Sequence, residues 1–175
     1  GDPSCRALCS CTDAFVGPAC GTSLGNLQPL VDIRSSLVAN LATLITREDL
    51  NEESVASWVS GLVLLSEKTE ELSAATADSV LDVSTTAMQA ATAVGSGRDS
   101  IAAVLGAVDS AVSALFSAGS AGVGDGVDKT RGVVQAMGSI SMSEVVAGEA
   151  PFISAHPALR MTAQVSEVGD DGSTE

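Results

Sequence analysis

Aromatic residues are nearly absent from these 175 residues, at 2%, with one tryptophan, three phenylalanines and no tyrosine. A core must therefore be built from Leu, Val, Ile and Ala, whose thinner side chains each bury less area. Basic residues are also scarce: 8 Lys and Arg stand against 22 Asp and Glu, for a net charge of −14. Such a balance repels phosphate backbones and anionic headgroups and argues against nucleic-acid binding. No run of 18 or more uninterrupted apolar residues occurs, so direct membrane insertion is not expected. The stretch from Val55 to Leu65 is broken by Ser57, Ser60 and Gly61. No Asn-x-Ser/Thr sequon occurs, although the many Ser and Thr leave O-glycans open.

Cysteine is missing after residue 20. Before that point Cys5, Cys9, Cys11 and Cys20 crowd together. So short a segment has too little apolar content for a core, so cross-links must hold it. Disulfides persist in oxidising surroundings, which predicts an extracellular or cell-surface setting. The chain starts without an initiator Met or signal peptide, and it is read as an excerpt of a longer exported polypeptide.

With 45% hydrophobic residues there is enough material for one domain with small appendages. Residues 1–21 form the cysteine segment and 22–29 read as a linker. A first helix is expected over 30–46, where Leu30, Ile33, Leu37, Leu41 and Leu44 recur at helical spacing, widened by Val38 and Ile45. Asn51 suits an N-cap for a second helix carrying Val55, Trp58, Val59, Leu62, Val63 and Leu65. Trp58 is the expected core anchor, and its ring N–H requires a partner or a wet edge. Ser73 caps a third helix over 74–94 that bears Ala77, Leu81, Met88 and Ala91 and ends at Gly95. A fourth helix covers 99–118, Gly119 to Gly126 read as a loop, and 127–137 form a shorter fifth helix. The period then changes to two: Leu159, Met161, Ala163 and Val165 alternate with Arg160, Thr162, Gln164 and Ser166, as in a half-buried strand. One strand is unstable alone, so partners from outside the chain are expected, and its four apolar residues become the candidate interaction surface.

Tests for chemistry leave little. Gly122 to Thr130 suggests a phosphate loop, but Asp128 stands before Lys129 where glycine is required. His156 is the single histidine, beside Pro157, with no nearby metal ligands and no nucleophile elbow to serve. Glu52, Glu53, Glu70 and Glu71 read as helix-start carboxylates in solvent. Asp13, Asp170 and Asp171 lack a calcium-loop pattern. No catalytic residue, metal site or cofactor is expected.

Cys9, Cys11, Gly17 and Cys20 spell Cys-x-Cys-x5-Gly-x2-Cys, which resembles the C-terminal half of an EGF-like module. That resemblance implies a Cys11–Cys20 bridge, worth roughly 2–3 kcal/mol by loop closure. Cys5 and Cys9 then pair with each other or with residues upstream. The middle is similar to the helical subdomain of the GAIN/REJ region, as in polycystin-like proteins and adhesion receptors. The residues that carry this likeness are 31–37, 50–55 and 71–73, followed by an Ala-rich helix. Residues 151–163 resemble the entry to that family's β-sandwich, whose cleavage signature is missing from this chain. EGF modules followed by such regions also occur in algal and protist surface proteins, including flagellar-hair (mastigoneme) proteins.

The expected architecture is mainly α. A bundle of about five helices (30–148) follows an EGF-like disulfide segment and precedes the first strand of an incomplete β subdomain (149–175). The expected function is non-enzymatic: a structural or interaction module of a large surface protein. Its partners are neighbouring domains or other copies of the chain, and its location is extracellular, at the cell surface or on a flagellum. The alternative is the sensory ectodomain of a polycystin-like or adhesion-type receptor.

Overall fold

A computed structural model describes residues 9–17, 19–119, 123–144 and 151–164. Five helices make up most of it: α1 (Leu24–Ile45), α2 (Glu52–Ser66), α3 (Ala74–Val94), α4 (Gly97–Ser117) and α5 (Val123–Glu144), with a 3₁₀ turn at Thr69–Glu71. Two antiparallel two-stranded pairs flank them. β1 (Phe15–Val16) pairs with β2 (Thr22–Ser23), and β3 (Phe152–Ala155) pairs with β4 (Arg160–Ala163).

Local signals set the start of α2 and both ends of α3. The Asn51 side chain accepts the Ser54 N–H and Glu52 and Glu53 occupy the first turn of α2, satisfying orphan donors and complementing the helix dipole. Ser73 accepts the Thr76 N–H in the same way, and Gly95 closes α3 in the left-handed region at φ 76°.

Residues 22–29 are not a linker. Thr22 and Ser23 form β2 and α1 begins at Leu24, with Pro29 inside it. Gly25, Asn26 and Pro29 discourage helix by propensity. The Leu24 N–H, however, donates to the Ala14 carbonyl, which ties the helix start to the disulfide hairpin. α5 likewise begins earlier and ends later than its glycines suggest. Gly126 belongs to the helix and not to a loop, and a Cβ there would lie 2.7 Å from Leu115 Cδ1 on α4. A larger residue at 126 would have to displace the end of the Leu115 side chain.

α3 and α4 form the centre of the bundle. Ala77, Val80, Leu81, Ala87, Met88 and Ala91 of α3 pack with Ile101, Val104, Leu105, Val108 and Ala111 of α4, all at or near full burial. Small side chains let these axes approach, which is how a core poor in aromatics closes. The hydroxyls on these helices turn back on the backbone: buried Ser84 donates to the Val80 carbonyl at 2.7 Å. Residues 100–117 of α4 are long and apolar enough to cross a membrane by length and composition, a property the uninterrupted-run criterion missed. In the fold this stretch is mostly buried against the other helices.

The expectation of a strand without an in-chain partner is corrected. β4 pairs with β3 in the register Phe152↔Ala163, Ile153↔Thr162, Ser154↔Met161 and Ala155↔Arg160. The four residues of β3 are too few to show a period, so it left no sequence signal. The alternation itself holds: Met161 and Ala163 are buried, while Arg160, Thr162 and Gln164 are exposed. Leu159 and Met161 pack against the helical core, so these side chains face the chain's own bundle. Val165 lies outside the described residues.

Candidate functional site

Four polar anchors and two apolar surfaces distinguish this bundle. The first anchor is Arg34 on α1. Its Nε donates to Glu71 Oε2 at 3.0 Å and its Nη2 pairs with the same oxygen. Nη1 donates to the carbonyls of Leu64 and Leu65 at 3.2 and 2.8 Å, at the end of α2. One guanidinium thus satisfies two terminal carbonyls and neutralises a buried carboxylate. Glu71 is therefore not a solvated helix-start residue. Its neighbour Glu70 instead fills the space that a side chain on Gly17 would occupy. Gly17 sits at φ 94°, a backbone conformation that favours glycine.

The second anchor is Trp58, 2% exposed, whose Nε1 donates to Glu48 Oε2 at 2.6 Å. The third is Asp109, a buried carboxylate on α4 that sequence reasoning overlooked. Its Oδ1 accepts the N–H groups of Ala158 and Leu159 at 2.6 and 3.0 Å and so holds the β3–β4 turn. A lone charge on the apolar face between Val108 and Val112 was the available signal. His156 of that turn is half-buried over Gly106, at 3.3 Å from a Cβ placed there, and not in an open surface loop.

Asp109→Ala is expected to strip both turn amides of their acceptor, at a cost of about 1–3 kcal/mol. Amide exchange in 152–163 should accelerate while helical circular dichroism persists. Unchanged exchange in the hairpin would remove Asp109 from this role.

The fourth anchor is Lys129 on α5, which donates to Asp78 Oδ2 at 2.6 Å and Asp82 Oδ2 at 2.8 Å on α3. The hydrogen bond to Asp78 and then that to Asp82 raise its pKa above the ordinary 10.5. Stabilisation from this group is complete below 10.5 and is lost as pH climbs through the raised folded-state value. The Lys129 side chain is 31% exposed, so solvent and salt screen the pair. Thermal midpoints of the parent should fall more steeply above pH 10.5 than those of Lys129→Met, an expectation checked by parallel melts. Parallel curves would show that the cluster is neutral for stability.

Comparison with family models, curated proteins and solved structures finds no match to the chain. The chemistry must be read from the geometry.

Cys11 and Cys20 are joined by a disulfide with Cα atoms 5.4 Å apart. Cys9, expected to pair with Cys5 or with residues upstream, has a free, exposed thiol, and Cys5 lies outside the described residues. Among the described residues no three His, Cys, Asp or Glu side chains gather as metal ligands. An open apolar groove of about 260 Å³ lies between α4, α5 and the hairpin turn, lined by Val112, Leu115, Phe116, Val127 and Leu159. Its one polar side chain, Thr130, already donates to the Gly126 carbonyl.

The second apolar surface is on α1, where the sequence stripe is corrected. Val38, Leu41 and Ile45 enter the core, but Ile33 (57% exposed), Leu37 (45%) and Leu44 (41%) face outward. On α2, Leu64 is 67% exposed. The helix is apolar on two sides, and periodicity marks both without saying which side packs inward.

Proposed function

We propose that the chain is a non-enzymatic structural and interaction module of a large extracellular or cell-surface protein. It serves assembly or adhesion, as in a surface filament or flagellar hair. The observation that carries this reading is the outward apolar side of α1 with Leu64 of α2. Large aliphatic side chains left in water on a bundle with a well-buried core mark a contact surface. The Cys11–Cys20 bridge supports an oxidising location. In the same proposal, residues 1–21 are the end of an EGF-like module and 30–148 a GAIN-like helical subdomain. Gly17 at φ 94° between the bridged cysteines supports the former.

The test uses the natural surface material. A photoreactive residue replacing Leu64 should cross-link to a neighbouring domain of the same polypeptide or to another surface protein, identified by peptide mass. Cys11 and Cys20 should resist alkylation until reduced. A missing protein adduct, or alkylation of both thiols without reductant, overturns the reading.

A further inference from the structure

We infer that the outward side of α1 is a seam for self-association, taken by the same helix of other copies of this chain in parallel register. The inference rests on the reading of the chain as an interaction module and names its surface and partner.

Leu30, Ile33, Leu37, Asn40 and Leu44 follow one another at intervals of three, four, three and four residues. This is the heptad spacing of a helix that packs lengthwise on another helix. Leu30 is half-buried and the other four are exposed. The occupant that matches such a seam is a helix, and α1 itself carries the matching sequence.

The flanks of the seam favour burial. Ser36 Oγ donates to the Asp32 carbonyl and Thr43 Oγ1 to the Ala39 carbonyl, each at 2.9 Å. Their hydroxyls are thus satisfied inside the helix and lose little on leaving water. Asn40 is the exception: it sits at an inner position and makes no side-chain hydrogen bond among the described residues. Buried against an aliphatic partner its amide would be orphaned. Opposite a second Asn40 it is paired, and parallel, in-register helices bring the two together while keeping Leu30, Ile33, Leu37 and Leu44 each opposite its own copy.

Electrostatics select the same partner. The chain carries a net charge of −14, so two copies repel over most of their surface. No charged residue lies between Arg34 and Arg47, which leaves this side neutral. A basic partner finds nothing to attract it here, whereas a second neutral seam meets no repulsion. Leu at the first and Ile at the second inner position is the arrangement that favours more than two strands in free coiled coils, so two or more chains are expected. A seam of this length is at the small end of specific interfaces, and association should be weak and concentration-dependent.

Sedimentation of the full chain across a concentration series tests this. The expected mass rises to that of two or more chains. Leu37→Asp should weaken association by more than about tenfold, because like charges then meet in the seam. Asn40→Lys should do the same and replaces a polar surface residue, so it serves if Leu37→Asp fails to fold. In a Cys5→Ser, Cys9→Ser background, Asn40→Cys should oxidise to a covalent dimer. A single-chain mass at the highest soluble concentration, association that survives Asn40→Lys, or no covalent dimer overturns the inference. None of these touches the proposed function, which fails separately if Leu64 finds no protein neighbour in the natural material.

Discussion

Replacing Arg34 with alanine is expected to destabilise the fold by about 2–4 kcal/mol. Three effects combine in that figure. Glu71 keeps its charge in a buried site with its cation gone. The Leu64 and Leu65 carbonyls at the end of α2 lose their donor. The tie from α1 to the 3₁₀ turn is cut as well. Both side chains retain slight contact with water, which keeps the effect below that of a fully dry pair. Arg34→Lys should recover only part of the loss. An ammonium cannot span a carboxylate and two carbonyls with one planar fork. Arg34→Met combined with Glu71→Leu should be clearly more stable than Arg34→Ala alone, because no orphaned charge is left behind. Urea unfolding followed by the fluorescence of Trp58 checks each variant. A shift under about 0.5 kcal/mol for Arg34→Ala would place this cluster among ordinary surface pairs.

Trp58→Ala is expected to cost about 3–5 kcal/mol, the largest effect of any single side chain here. Trp58 is the most voluminous fully buried residue, in a core otherwise made of aliphatic and small side chains. Trp58→Phe separates packing from polarity. It keeps most of the ring but loses the N–H to the Glu48 carboxylate, a charge-assisted bond worth about 1.5–3 kcal/mol. Circular dichroism must follow these variants, since the single tryptophan is the one removed. Equal stability of Trp58→Phe and the parent would mean that water serves the ring as well as Glu48 does.

How much was legible in advance differs from element to element. α3 was readable to the residue. Ser73 and Gly95 act through their own backbone and side chain, and the Ala77, Leu81, Met88 and Ala91 face is the face that packs. α2 was nearly as clear, because Asn51 is a local cap and one face holds Val55, Trp58 and Leu62. α1 was read with its inward side rotated. Of the expected stripe, Leu41 and the flanking Val38 and Ile45 pack inward, whereas Ile33, Leu37 and Leu44 stay in water. Two apolar stripes give one periodicity. The choice between them depends on where α2 and α3 lie, which no window of α1 records.

The candidate surfaces divide in the same way. The Cys11–Cys20 bridge was implied by the likeness to an EGF-like module. The hairpin tether was not, because Asp109 and the turn it holds are about fifty residues apart in sequence. Arg34 and Glu71 are 37 apart, and Lys129 is 51 from Asp78. A charge in a sequence reads as solvated until its partner is in place.

By itself, then, the amino-acid order determined a mainly helical chain, its cross-linked start, the caps of α2 and α3, the aliphatic character of the core and the alternation across β4. Each follows from interactions within a few residues, where spacing and geometry are the same thing. Tertiary structure decided which side of α1 stays in water, that β4 has its partner in β3, and which carboxylates are held by cations or amides. Those depend on elements distant in the chain meeting in space, and packing settles them by burying one of several locally acceptable faces.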